Sequence, residues 1–206
     1  MGNVKKYWAR QFGNPTGVGG KIAAFIMNRM NKEMYRSVVA SAPQNGRILD
    51  VGFGNGALLK RLSRATDADL FGIDISDDMV DLAAKRNRKA VENGKLTLAK
   101  GSADNIVFDG QFDFVYTVNT VYFWQNLEEG LAAIKDKLSD GGKFINVVYT
   151  KEWLDKLSYT RYGFAKYAPD ELVAAVVKIG LKAEIIEINR GKSFCVCATR
   201  ADGDKV

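Results

Sequence analysis

Two acids stand on either side of a stretch almost devoid of side chains. Asp50 precedes Gly52, Gly54 and Gly56, and Asp74 closes the next apolar segment. Glycines at alternate positions permit backbone angles closed to other residues and let a ligand lie against bare N–H groups. Asp50 sits at the carboxyl end of its strand, where open α/β sheets place their ligands. A carboxylate at the tip of the following strand can accept hydrogen bonds from both hydroxyls of a ribose. The pair therefore specifies a nucleoside site. A third acid, Asp104, follows Gly101-Ser102-Ala103, and Asn119-Thr120 follows a further apolar run. The chain has no histidine, which removes the commonest general base. Tyr122, Tyr149 and Tyr162 remain as candidate catalytic hydroxyls. Trp8, Tyr122, Trp124 and Tyr159 are candidate aromatic walls for a substrate.

These residues need strands and turns to carry them. Ile48–Val51 reads as a short strand, the glycines as a turn, and Ala57–Ala65 as a helix. A second strand covers Asp69–Ile75. Ser76 then has the character of an N-cap, with Asp77 and Asp78 in the first turn of a helix running to Val91. Lys95–Lys100, Phe112–Asn119 and Lys143–Thr150 read as further strands, with a helix over Leu127–Leu138. Strands alternating with helices predict a parallel sheet with right-handed crossovers. The last third differs: an aromatic connection over 151–168, a helix opening at Pro169-Asp170-Glu171, and a hairpin of Ala183–Asn189 with Ser193–Thr199. The expected fold is α/β, a Rossmann-like seven-stranded, mostly parallel sheet with one antiparallel strand, helices on both faces and an N-terminal helical cap. Residues 1–45 form the arm and cap helix of the same unit, 46–200 the ligand-binding domain, and 201–206 a tail. The cap helix is expected from Lys21 onward, where Ile22, Phe25, Ile26, Met30, Met34 and Val38 recur at helical spacing.

Composition narrows the setting. No apolar run approaches the roughly 20 residues needed to span a bilayer, and the first ten residues carry charges without an apolar core to follow. Cys195 and Cys197 point to the same strand face, where bridging is rare. Two thiols without histidine also make a poor metal site, so no metal is expected. A reduced, cytoplasmic location fits best. The net charge of +6 comes from the residues before Arg47, where seven basic side chains face Glu33 alone. That asymmetry favours an anionic or amphiphilic small-molecule partner. Nucleic acid is disfavoured, since no recognition motif accompanies the charge. Oligomeric state is left open.

Four motifs in this order carry a resemblance. Leu49-Asp50-Val51-Gly52-Phe53-Gly54-Asn55-Gly56, Gly72-Ile73-Asp74-Ile75-Ser76, Gly101-Ser102-Ala103-Asp104 and Phe112-Asp113-Phe114-Val115 resemble those of class I S-adenosylmethionine-dependent methyltransferases. The likeness is to their small-molecule branch, similar to quinone-biosynthesis enzymes. It implies S-adenosylmethionine as cofactor and S-adenosylhomocysteine as product. The loop Gly52, Gly54, Asn55 and Gly56 would pack under the methionine moiety, whose amino group lies near Asp50. Asp74 would hold the ribose, with Ile75 and Met79 against the adenine. Asp104 would accept the adenine exocyclic N–H beside the backbone of Ala103. Asn119 and Thr120 would border the sulfonium and the acceptor.

Two other readings stay open. Gly52-Phe53-Gly54-Asn55-Gly56-Ala57 also matches the dinucleotide pattern G-x-G-x-x-A, with Asp74 about 20 residues on. Tyr162 and Lys166 even imitate a Tyr-x-x-x-Lys catalytic pair of an NAD(P)-dependent oxidoreductase. Against that, an acid before the glycines would repel a pyrophosphate. The third reading is a non-catalytic S-adenosylmethionine-binding module. For the transferase, a sulfonium already activates its methyl group. In-line approach within aromatic walls then supplies much of the acceleration by positioning.

Overall fold

A computed structural model describes residues 30–200. Trp8, the arm and the opening of the expected cap helix lie outside the described residues, as does the tail. The described elements run α1 (Lys32–Ser41), β1 (Arg47–Val51), α2 (Ala57–Ala65), β2 (Asp69–Asp74), α3 (Asp77–Arg86), α4 (Arg88–Glu92) and β3 (Leu96–Lys100). After these come β4 (Phe112–Val118), α5 (Leu127–Lys137), β5 (Leu138–Tyr149), α6 (Lys151–Lys156), α7 (Pro169–Lys178), β6 (Lys182–Asn189) and β7 (Ser193–Thr199). Short 3-10 turns cover Val121–Phe123 and Ser158–Arg161.

The seven strands form one sheet in the order β3-β2-β1-β4-β5-β7-β6. All pairings are parallel except those of β7, which runs antiparallel to both β5 and β6. The expected fold is the observed one. Strand order grows outward from β1 to β3 and then reverses at β4. Right-handed crossovers therefore place α2 and α3 on one face and α5 on the other. The helix contacts agree: α1, α2 and α3 touch in sequence, and α5 touches α7. Between β1 and β4 the crossovers diverge, leaving a crevice above the strand tips.

β1 is central, and Ile48, Leu49 and Val51 are buried beside Asp50. At the other end of the sheet Arg47 lies over the rings of Phe71 and Phe112, at 4.6 and 4.8 Å. There the Arg47 amide donates to Asp113, whose other oxygen accepts from Ser139. Asp113 thus orients strands and has no part in the crevice.

Three local expectations change. The helix foreseen as continuous to Val91 breaks at Asn87, whose amide group donates to Gly56 O and Ala83 O and so stitches α3 to the glycine loop. β5 begins at Leu138 because Phe112 pairs with that residue ahead of the irregularity at Phe114. The aromatic connection contains α6, started by Thr150 Oγ1 accepting from the Trp153 amide.

Candidate active site

The crevice is floored by the tips of β1, β2 and β4. Asp50, Gly52, Gly54, Asn55, Asp74 and Ile75 line one part of it. Met79, Ala103, Asp104, Asn119 and Thr120 line another. The structure thus gathers residues spread over some seventy positions of chain onto one surface, because each sits at or just beyond the carboxyl end of a parallel strand.

Asp50 is 3 % exposed. Register places it opposite Tyr116 on β4, and the Tyr116 hydroxyl donates to its Oδ2 at 2.7 Å. Burial drives its pKa up to about 8; Asp74 nearby adds to the rise and the Tyr116 bond opposes it. The fold therefore holds an acid that gains from a cation brought alongside. Asp74 is also buried, and burial raises its pKa too, against the amides of Ser76, Gly54 and Ile75 that favour its ionised form. Its Oδ2 accepts from Gly54 N at 2.8 Å and its Oδ1 from Ser76 N at 3.0 Å. Each oxygen retains acceptor capacity for a ligand hydroxyl. Ser76 stands at the N-cap position of α3, but no bond from its side chain caps the helix.

The glycines divide by role. Gly52 has φ +84°, and a β-carbon there would overlap the Thr120 methyl group. Gly54 has φ +54°, and a β-carbon would meet no protein atom; it would occupy the crevice itself. Gly56 does not line the crevice. A β-carbon there would lie 2.7 Å from that of Ala83, so its lack of a side chain lets α2 pack against α3. Asn55 lines the crevice, yet its Oδ1 accepts from Ala57 N and from Arg86 at 2.6 Å. Asp104 is exposed at the rim, in a tight turn closed by backbone bonds between Ser102 and Asn105.

Asn119 leaves β4 with φ +59°, alone among the described non-glycine residues in having positive φ. Such a residue costs of order 1 kcal/mol or more and persists where its surroundings demand it. Here its Nδ2 donates to Asn31 Oδ1 at 3.0 Å, and its Oδ1 accepts from the Tyr122 hydroxyl at 3.0 Å and from Tyr149 N at 3.3 Å. The Tyr149 hydroxyl donates to the same Asn31 oxygen at 2.9 Å. Behind this wall lies a second cavity, lined by Tyr122, Phe123, Tyr149, Tyr159 and Phe164 among others. Asn31 and Asn119 border both cavities.

Of the proposed catalytic tyrosines, Tyr122 and Tyr149 reach this place and Tyr162 lines neither cavity. Burial pushes the Tyr122 and Tyr149 hydroxyls upward, so neither is a ready base. Tyr159 lines the second cavity. Trp124 lines the first, donating to Thr120 Oγ1 at 3.1 Å. The oxidoreductase pair fails on geometry. Residues 162–166 are not helical, and Lys166 is bound to Asp155 at 2.7 Å. Sequence reasoning missed Asn31 and Tyr35, both on the crevice side of α1. A polar residue three and seven positions before Met34 and Val38 was the available signal.

An α/β sheet with two buried acids astride a glycine turn at its switch point defines a nucleoside-binding protein. Comparison with known proteins narrows that class. Residues 48–142 match the model of a methyltransferase domain. The chain is 32 % identical over 126 residues to the uncharacterized methyltransferase YdaC of Bacillus subtilis (strain 168), covering 59 % of this chain and 67 % of that protein. A sterol 24-C-methyltransferase of Kluyveromyces lactis is 29 % identical over 146 residues, 70 % of this chain but 39 % of the longer enzyme. In fold, a chain from the Haloferax volcanii complex of the Trm112 methyltransferase activator with a methyltransferase superposes with TM-score 0.77 at 18 % identity, covering 96 % of this chain and 97 % of that one. The chain belongs to the class I S-adenosylmethionine-dependent methyltransferases. Among the described residues, no helix is long and apolar enough to cross a membrane, no acid or thiol cluster suits a metal, and both cysteines are free and buried.

Proposed function

We propose that the crevice binds S-adenosylmethionine, with its ammonium at Asp50, its ribose at Asp74 and its adenine between Ile75, Met79 and Asp104. Bound there, the cofactor would supply a methyl group to a small-molecule acceptor, with Asn119 bordering the place of transfer. The supporting observation is the pair of buried acids opening onto one crevice from either side of the glycine loop. The residues present suit the group: a buried carboxylate for a cation, a second with spare acceptor capacity for a diol, and a bare Gly54 where a side chain would obstruct. When bound, the cofactor supplies a methyl group on a positively charged sulfur. The protein's residues do the rest by orientation and exclusion of water. Asn119 and Thr120 fix the floor at the methyl end, and the aromatic side chains keep that end dry. The unit comprises the domain over 46–200 with the preceding segment as its cap, and the acceptor is uncharged where it enters the second cavity.

Calorimetric titration with S-adenosylhomocysteine and, separately, NADH tests the reading. Binding of the first and not the second is expected. NADH binding at the same crevice would replace it with the oxidoreductase.

A further inference from the structure

The polar groups around the second cavity are already committed to one another. Asn31 Oδ1 accepts from Asn119 Nδ2 and Tyr149 Oη, which fills both of its lone pairs. Asn119 Oδ1 accepts from Tyr122 Oη and shares the Tyr149 amide, which donates to Tyr122 Oη at 2.6 Å and to Asn119 at 3.3 Å. Thr160 Oγ1 donates into the carbonyls at the end of α6, Leu154 O at 2.5 Å and Leu157 O at 2.8 Å. Apart from the Tyr159 hydroxyl, the rest of the lining among the described residues is hydrocarbon and ring. Phe123 and Phe164 meet edge to face at 4.6 Å between centroids, and Phe164 lies 5.8 Å from Tyr122 and 6.1 Å from Tyr159. Met30, Leu154 and Leu157 complete the lining, and no charged side chain of the described residues belongs to it.

A polar group entering such a space loses its hydration and finds no partner, and a charged one loses more. A hydrocarbon group loses nothing and gains burial. We infer that the second cavity receives an uncharged hydrocarbon part of the methyl acceptor, so that the enzyme selects its substrate by apolar shape at this end. This rests on the proposed function and deepens it. It also reverses the weight that the basic N-terminal segment gave to an anionic substrate. Any anionic portion of an amphiphilic acceptor would stay outside the cavity.

Three small molecules of one shape separate the possibilities: tert-butylbenzene, phenyltrimethylammonium and benzenesulfonate, neutral, cationic and anionic. Each is titrated by ligand-observed NMR against the full chain saturated with S-adenosylhomocysteine. The neutral compound should bind at least tenfold more tightly than either ion. Leu157→Trp, which narrows the cavity from a half-buried position, should weaken it at least fivefold while leaving S-adenosylhomocysteine affinity unchanged. Tighter binding of the ammonium would make the cavity a cationic cage and overturn the inference. Preference for the sulfonate, equal binding of all three, or no binding by any of them would overturn it too. Loss of S-adenosylhomocysteine binding in the unaltered protein would instead count against the proposed function, so the two failures are told apart.

Discussion

The carboxylate of Asp74 holds the amide of Gly54 at 2.8 Å, across 20 residues of chain. The acid proposed to hold the ribose therefore also sets the shape of the glycine loop. Binding residues and scaffold are here one hydrogen bond apart, and perturbing the acid moves both.

Replacement of Asp74 by alanine should accordingly cost more than the ligand contact alone. Its charge-assisted bonds to the ribose are worth roughly 2–4 kcal/mol, and release of the Gly54 and Ser76 amides adds a stability loss of about 1 kcal/mol. Calorimetry with S-adenosylhomocysteine and denaturant titration of the free protein measure the two separately. Unaltered affinity would remove Asp74 from the site.

Asp50 makes the ligand-free protein sensitive to pH. Its folded pKa, about 8, lies above its ordinary value of 3.8. The native state therefore holds the extra proton across that window. Its contribution to stability is complete below about pH 4 and is lost as pH rises through about 8. Asp50→Asn should raise the melting temperature of the free protein at pH 8.5 by about 5 °C or more and abolish binding of S-adenosylhomocysteine.

The same acid couples binding to protons. An ammonium favours the carboxylate, so association below pH 8 should release a proton from Asp50, and affinity should fall up to about tenfold per pH unit on acidification. Calorimetry at pH 7 in buffers of different ionisation enthalpy reads this release directly; heats that do not vary with the buffer would contradict it.

Gly52 has both a positive φ and a side chain in its way. Gly52→Ala should destabilise the protein by about 2–4 kcal/mol, from left-handed strain of about 1–2 kcal/mol and from overpacking. Removing the obstructing methyl with Thr120→Ser should recover the packing share only. A double-mutant cycle by denaturant titration would show that coupling, and strictly additive effects would refute the overlap.

Asn31 joins the cap helix to the floor of the site. Asn31→Ala orphans two buried donors, at roughly 1–3 kcal/mol each, a loss that denaturant titration measures. An unchanged unfolding midpoint would show that the bonds to Asn119 and Tyr149 carry no weight.

Much of this was legible along the chain because strand tips are local features. Asp50, the glycine turn and Asp74 each follow a short apolar run, and a parallel sheet brings such ends together. What needed the third dimension was pairing. Nothing in the sequence aligns Tyr116 with Asp50; that follows from the register of β1 on β4. Asn31 and Tyr35 were hidden in a stripe read only for its apolar members. Tyr162, chosen for its residue type, follows the turn at Ser158–Arg161 and lines neither cavity. Asn87 broke a helix whose periodicity was intact, since its amide serves a loop thirty-one residues earlier.

The reversed course of β7 has a practical outcome. Ser193 lies beside Tyr149 near the crevice, and Thr199 beside Lys143, so the backbone departs from the far rim of the molecule. A fluorescent reporter carried at position 199 would sit at the end of the sheet away from the crevice, leaving the ligand entrance clear for surface-immobilised measurements.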